Sequence, residues 1–366
     1  MRSDARPRVA ELPLKEPGWW YDERPSLVAR ALSPLATVWG RAAERRFRNG
    51  GAYRPEAPVV CIGNFTAGGT GKTPLSLHVA RELLSRGVKP AFLTRGYGGR
   101  AVGPHWVSVE RDRARDVGDE PLLLARVAPT LVSRDRALGA RVMAEVEAEA
   151  RPQAIIMDDG LQNGALAKDL VLAVVDGRRG VGNGLVIPAG PLRAPLAFQL
   201  SLADAIVVNA PPGSDDEHQG ESPFVAWLRD NFGGPVLRAA TEPTTDTEWL
   251  RDLPVVAFSG IGAPERFFGL LERLGARVLM RRAFADHHAF TEGDARMLLG
   301  EAQRRGATLC TTEKDWVRLV EGEGALDSLR QVSRTVAIGL AFSERDRVRL
   351  TSLLESSLAA RGVVLS

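Results

Sequence analysis

Ala57-Pro58-Val59-Val60-Cys61-Ile62-Gly63-Asn64-Phe65-Thr66-Ala67-Gly68-Gly69-Thr70-Gly71-Lys72-Thr73-Pro74 runs directly into Leu75-Ser76-Leu77-His78-Val79-Ala80-Arg81-Glu82-Leu83-Leu84. An apolar run, a glycine-rich stretch and a segment with helical periodicity follow one another, which is the strand, loop and helix context of a phosphate-binding loop. Glycines let the backbone curl so that its N–H groups converge on phosphate oxygens, and the helix N-terminus adds partial positive charge. Lys72 is then placed to reach the β- and γ-phosphates, and the Thr73 hydroxyl to ligate Mg²⁺. The candidate nucleotide-binding set is Thr66, Ala67, Gly68, Gly69, Thr70, Gly71, Lys72 and Thr73. Thr66 stands where the usual pattern begins with Gly, and Gly68 and Gly69 supply the flexibility. The competing account, a glycine turn that binds nothing, is weakened by Gly71-Lys72-Thr73 at the helix start.

Short apolar runs alternate with helical patterns on both sides of this loop. Strands are expected at 89–94, 130–132, 154–157, 170–175 and 205–209, with helices at 120–127 and 135–150. Continuously apolar strands separated by helices predict a parallel sheet covered on both faces. A Pro-, Gly- and Asp-rich stretch from Pro211 to Gly220 reads as a loop. Further strands are expected at 255–258, 276–279, 308–312 and 336–340. The fold class is therefore α/β: a P-loop NTPase-like parallel-sheet domain over 51–238 and a smaller α/β/α domain over 239–366. Residues 1–50 form a separate N-terminal segment, and no internal repeat is visible.

The chain has 366 residues, 44% hydrophobic and 25% charged, which suits two globular domains. Its two cysteines, Cys61 and Cys310, have no CxxC or Cys/His company, so neither a zinc site nor a disulfide framework is expected and a reducing compartment fits. A net charge of +3 with arginine in excess over lysine favours phosphate or headgroup contacts, and no nucleic-acid recognition motif accompanies it.

Trp19 and Trp20 precede a segment from Ser26 to Arg41 whose apolar residues include Leu27, Val28, Ala31, Leu32, Leu35, Val38 and Trp39. Arg41, Arg45, Arg46 and Arg48 follow. Aromatic residues, an apolar helix and an arginine cluster are what a helix lying in a bilayer interface needs. Arg30 and Pro34 interrupt it, leaving it short of the roughly 20 apolar residues of a spanning helix. A monotopic anchor is expected, with an amphipathic helix packed on the protein's own core as the alternative. No small-residue cleavage site marks it as a secretory signal, so its removal is not expected.

Asp158-Asp159 directly follow the strand at 154–157, where a carboxylate can hold Mg²⁺ across from Thr73. Adjacent acids on an extended chain point in different directions, one toward the metal and one in support. Gly118-Asp119-Glu120-Pro121 opens a helix, and on these residues alone Asp119 is a helix cap or a functional acid. Arg95-Gly96-Tyr97-Gly98-Gly99 is a turn or a loop able to close on an anionic group. Asp286-His287 is a surface turn or an imidazole oriented by a carboxylate. Ser259-Gly260-Ile261-Gly262 and Thr311-Thr312-Glu313-Lys314-Asp315 end two strands at the usual functional edge of a sheet.

Taken in order, Gly63-Asn64 with the glycine loop, Arg95 to Gly99, Gly118 to Pro121, Asp158-Asp159-Gly160-Leu161-Gln162, and Gly182-Asn183-Gly184 with Ile187 to Arg193 resemble the tetraacyldisaccharide 4'-kinases, the lipid A 4'-kinases of Gram-negative bacteria. Ser259 to Gly262, Asp286-His287 with Phe290, and Thr312 to Asp315 continue the resemblance. It implies transfer of the γ-phosphoryl group of ATP to the 4'-hydroxyl of a tetraacyldisaccharide 1-phosphate, with Mg²⁺, by a monomer at the cytoplasmic face of the inner membrane. It also implies two α/β/α domains joined by a short strand linker, with the site between them. The catalytic set it implies is Asp119, His287 and Asp286; the metal set is Thr73, Asp158 and Asp159; the substrate set is Arg95, Asn183 and Arg193. Asp119 and His287, one from each domain, are expected to meet only when the cleft closes. Leu161 and Asn163 depart from the family's usual Phe and His, and Ala194 from its usual Glu, so position 194 is assigned no role. Other P-loop NTPases remain alternatives, although Val207-Val208-Asn209-Ala210-Pro211 lacks the Asn-Lys-x-Asp of guanine-specific members. So does a module holding nucleotide only as a structural ligand.

Overall fold

A computed structural model of the chain describes residues 16–22, 24–210, 222–319 and 324–365. The expected loop from Pro211 to Gly220 and residues 1–15 of the expected anchor lie outside them. In chain order the first elements are α1 (Leu27–Asn49), β1 (Val59–Asn64), α2 (Lys72–Ser85), β2 (Pro90–Thr94), β3 (His105–Trp106), α3 (Ala114–Val117), α4 (Asp119–Ala125), β4 (Thr130–Val132), α5 (Arg136–Ala144), β5 (Ala154–Asp158) and β6 (Leu170–Asp176). There follow α6 (Leu196–Leu200), β7 (Ala205–Ala210), α7 (Pro223–Asn231), β8 (Val236–Pro243), β9 (Pro254–Ser259), α8 (Pro264–Arg273) and β10 (Arg277–Ala283). The last are α9 (Glu292–Arg305), β11 (Thr308–Thr312), α10 (Glu313–Arg318), α11 (Ala325–Val332), β12 (Arg334–Val336), β13 (Ile338–Phe342) and α12 (Glu344–Ala359).

A nine-stranded sheet has the order β13-β8-β7-β6-β1-β5-β2-β4-β3. Its strands pair in parallel except at the two edges, where β13 runs against β8 and β3 against β4. Every residue of β1, β2, β5 and β6 is buried, as continuous apolar runs demand. Leu75, Val79, Ala80 and Leu83 of α2 and Leu350, Leu354 and Leu358 of α12 cover one face. Ala140, Met143, Val225 and Leu228 of α5 and α7 cover the other. β1 is central, with β5 on one side and β6 on the other, so the chain reverses its progress across the sheet at β1. Ligands of such sheets bind outside the strand C-termini at that reversal. A second, parallel sheet has the order β10-β9-β11-β12, packed by Phe267, Phe268 and Leu271 of α8 on one face and Leu298 of α9 and Leu329 of α11 on the other.

The sheets do not divide the chain at 239. The strand expected at 336–340 is two strands: β12 pairs with β11 in the small sheet, and after Ala337 the chain enters β13, which pairs with β8 in the large one. α12 then packs on the large sheet, so the C-terminus returns to the first unit. A short apolar run carries no information about its partner strand, and one residue of connection suffices because Thr244 N–H donates to Ala337 O at 3.0 Å, holding both crossings together. The helix expected at 135–150 stops at Ala144, just after Met143, its last buried apolar residue.

α1 runs through Pro34, with one side packed on the protein and the other exposed. Ala29, Ala36 and Gly40 are buried, Pro195 lies 3.2 Å from where a Gly40 Cβ would be, and Phe47 meets Phe198 edge-on. On the outer side Leu27 is 81%, Leu35 60%, Val38 67% and Trp39 56% exposed. Among the described residues no helix is long and apolar enough to cross a membrane.

Candidate active site

The phosphate loop is bent at two left-handed glycines, Gly68 and Gly71, and α2 starts at Lys72. Its shape is fixed from outside. Ala67 N–H donates to Pro191 O at 2.8 Å, Arg193 N–H to Phe65 O at 2.9 Å, and the Arg193 Nε to Thr66 O at 3.0 Å. The Asn64 amide donates to Thr66 O, and the Asn209 amide, from the end of β7, donates to Thr70 O at 3.1 Å.

At the end of β5 the two acids diverge as the extended backbone requires. Asp158 is fully buried; its Oδ1 accepts from Ser76 Oγ at 2.6 Å and its Oδ2 has no partner. Burial, with Glu120 nearby, pushes its carboxyl up to about 7. Asp159 has φ of 51°, a conformation that costs about 1–3 kcal/mol and persists where the surroundings impose it. Its Oδ1 stands 2.7 Å from Arg193 Nη1 and 3.7 Å from Lys72 Nζ. Burial disfavours its charge, but Arg193 and Lys72 outweigh that and hold it well below the usual carboxylate range. Burial lowers Lys72 in turn. An unpaired buried carboxylate oxygen at a phosphate loop suits a hard cation that takes one or two protein oxygens and completes its shell with phosphate and water. Among the described residues no group of three or more His, Cys, Asp or Glu is arranged to hold a metal ion by itself.

The second constellation lies where the small sheet faces the large one. Gly96, Gly99 and Gly118 let the 95–99 loop lie on the start of α4, where a Cβ at Gly118 would come 2.5 Å from Tyr97 O. Gly118 is the N-cap and Asp119 the first helical residue, so Asp119 is not the cap. Its side chain is 1% exposed. Asp119 Oδ1 accepts from Glu120 N–H at 3.0 Å; His287 Nδ1 stands 3.3 Å from Oδ2, and Arg318 donates to Oδ2 through Nε at 2.9 Å and through Nη2. Burial opposes the Asp119 charge, but the His287 hydrogen bond and the charges of Lys314 and Arg318 hold it far below the usual range. The hydrogen bond that His287 donates to Asp119 raises the His287 pKa, although burial works against it.

His287 also has a left-handed backbone, φ 55°, fixed by its N–H donating to Gly260 O at 3.0 Å. Its ring lies 5.4 Å from that of Tyr97, with Asp286 Oδ1 3.9 Å from Nε2. Asp119 and His287, one from each side of the cleft, adjoin in this structure. The two constellations are neighbours, since the Glu120 charge acts on both Lys72 and Asp158.

Of the expected substrate set, Arg193 belongs to the phosphate-loop cluster. Arg95 is exposed at the end of β2, near Arg136. Asn183 is occupied elsewhere: its amide donates to Ala189 O at 3.0 Å and its oxygen accepts from Leu185 N–H at 3.1 Å, bracing the loop that carries Arg193. Leu161 is fully buried against Gly63, and Ala194 is fully buried with its carbonyl accepting from Gln199. Sequence reasoning missed Ser76, Arg318 and Glu16. The Glu16 carboxylate sits where a Gly68 Cβ would be, accepting from Tyr21 Oη at 2.9 Å and pairing with Arg179 at 3.4 Å.

The family model described as tetraacyldisaccharide-1-P 4'-kinase matches residues 28–358. A tetraacyldisaccharide 4'-kinase of Methylorubrum extorquens (strain PA1) is 45% identical over 337 residues, 92% of this chain and 97% of that protein. One from Paramagnetospirillum magneticum is 47% identical over 306 residues, 84% of this chain and 90% of its own length. Among solved structures, LpxK from Aquifex aeolicus, described in complex with ATP, superposes with a TM-score of 0.69 at 24% identity, covering 91% of this chain and all of that one.

Proposed function

We propose, for a chain that belongs to the tetraacyldisaccharide-1-P 4'-kinase family, how its own residues carry the family's reaction. That reaction moves the γ-phosphoryl group of ATP to the 4'-hydroxyl of a tetraacyldisaccharide 1-phosphate, a step of lipid A biosynthesis. Phosphoryl transfer asks little covalent chemistry of a protein: the hydroxyl must be in line and the phosphoryl charge neutralised. Thr66 to Thr73 bind the triphosphate, Lys72 and Arg193 stand at its γ end, and Asp159 holds both cations in place until phosphate competes for them. Thr73, Asp158 and Asp159 would hold Mg²⁺, which when bound neutralises charge on the β- and γ-oxygens.

Asp119 has almost no exposed surface, whereas His287 is 32% exposed, so the sugar hydroxyl meets the imidazole first. The hydroxyl proton passes to His287 Nε2 as its oxygen attacks the γ-phosphorus and the bond to the β–γ bridging oxygen breaks. Asp119, ionised, holds the imidazolium that results; Asp286 steadies its other edge. The observation that carries this account is the Asp119–His287 pair seated beside a phosphate loop whose lysine and carboxylates are already assembled. Exposed Leu27, Leu35, Val38 and Trp39, followed by Arg41, Arg45, Arg46 and Arg48, support a peripheral seat on an anionic bilayer, on its cytoplasmic face, where a monomer meets its acylated substrate.

Purified protein with ATP, Mg²⁺ and radiolabelled disaccharide 1-phosphate, followed by chromatography of the lipid, tests the account. Phosphate must appear at the 4' position with wild type and be lost with Lys72→Ala and His287→Ala. Label released only as inorganic phosphate would overturn it.

A further inference from the structure

The Arg318 guanidinium is 6% exposed and spends its donors on both units of the molecule. Nε and Nη2 grip Asp119 Oδ2 on the large unit. Nη1 donates to Asp315 Oδ1 at 2.9 Å and to Gly260 O at 2.7 Å on the small one. Gly260 O is the same carbonyl that accepts from His287 N–H, and Asp315 also accepts from Gly260 N–H at 3.0 Å and from Ser259 Oγ at 2.8 Å. One planar cation thus fixes the Asp119 carboxylate and, through Gly260, the left-handed turn that presents His287 to it. One helical turn earlier, Lys314 Nζ pairs with Glu120 at 2.6 Å, so α10 holds both acids at the start of α4.

We infer that Arg318 is a positioning residue for proton transfer: it keeps Asp119 in place beside His287, and its own positive charge offsets part of the Asp119 charge, setting the pH at which His287 is free to accept the hydroxyl proton. Two donors closing on one carboxylate oxygen, with a third arm on Asp315 and Gly260, form a geometry that a lone point charge reproduces only in part. The charged groups facing the pair are Arg318, Lys314 and Asp315 from α10, Glu120 from α4, and Asp286 beside the imidazole, with the Tyr97 ring against it. Asp119 and Asp286 favour the imidazolium and Arg318 disfavours it. Loss of Arg318 therefore makes His287 hold its proton to higher pH.

The inference rests on the role of His287 given above, and the pH profile of kcat/KM for the lipid tests the two separately. In Arg318→Met the acidic limb should move to higher pH and the plateau should fall about 10²-fold, the scale of a misplaced reacting group. Arg318→Lys should keep the limb near its wild-type position and recover most of the plateau. Should Arg318→Met not fold, Arg318→Gln, which keeps donors but no charge, is measured instead with the same expectation. A fall in rate with an unmoved limb would make Arg318 structural only, and a lysine variant as damaged as the uncharged one would remove the role of its charge; either overturns the inference. If the limb survives in His287→Ala, the role of His287 itself fails. If it vanishes there and does not move on loss of the Arg318 charge, only the inference about Arg318 fails.

Discussion

His287 Nδ1 stands 3.3 Å from Asp119 Oδ2, although one residue follows a strand of the small sheet and the other opens a helix packed on the large one. The contact joins the two sheets through one carboxylate and one imidazole, so a change at either residue bears on the other.

In the proposed mechanism the two side chains act as a unit, so their substitutions should not add. Asp119→Ala and His287→Ala should each lower kcat by roughly 10² to 10⁴, the usual worth of a general base, while the double variant should fall little below the worse single one. KM for ATP should stay near wild type in all three. Fully additive losses would separate the residues.

The Asp119–His287 contact also carries a pH signature in stability. His287 binds its proton more tightly folded than unfolded, so its contribution is complete below the ordinary histidine pKa and disappears as pH rises through the raised folded value. The Tm gap between wild type and His287→Ala should therefore be wider at pH 6 than at pH 9. Catalysis runs oppositely, since only neutral His287 accepts a proton, and activity should climb across the pH range in which that gap narrows.

Lys72→Ala and Thr73→Ala should each reduce turnover by on the order of 10² or more at saturating ATP and Mg²⁺, since charge stabilisation at the phosphoryl group is lost. Asp159→Asn should weaken ATP binding less than it slows transfer, because Arg193 and Lys72 lose the carboxylate that spaces them. Near-wild-type turnover of either loop variant would move the nucleotide elsewhere.

The large sheet, the phosphate loop and the paired acids were legible because each is local. Apolar runs set β4, β5 and β6 almost to the residue, and glycine spacing set the loop. What was not legible depends on pairing between distant segments. Val336 to Leu340 looks like one strand because hydrophobicity reports burial and not partner, so the return of β13 and α12 to the large sheet could not be seen. Asn183 looked like a substrate contact because a loop amide between two glycines looks the same whether it faces a ligand or its own backbone. Arg318 lies one helical turn past Asp315, but nothing local says that its guanidinium crosses to Asp119.

The membrane-facing role proposed for α1 is better tested by substitution than by deletion, since Ala29, Ala36 and Gly40 are packed and removing the helix would uncover their partners. Leu35→Glu with Trp39→Glu alters only the exposed side. The double variant should lose flotation with liposomes containing anionic lipid and raise the apparent KM for the lipid, leaving Tm within a few degrees. Unchanged flotation would place the bilayer contact on another surface.

Glu16 offers a last test, at the opposite wall of the phosphate loop. Its carboxylate lies against Gly68, and Tyr21 and Arg179 hold it there, while Asn183 N–H donates to Trp20 O at 2.8 Å and anchors the turn that carries Tyr21. An anion in contact with a loop built for anions raises the cost of binding a triphosphate, and it also occupies a cation that the triphosphate could use. Glu16→Gln keeps the size of the side chain and removes both effects, so KM for ATP should fall several-fold while kcat and KM for the lipid stay near wild type. A higher KM for ATP in Glu16→Gln would mean that the carboxylate instead braces the loop for nucleotide, and its contact with Gly68 would then be support rather than competition.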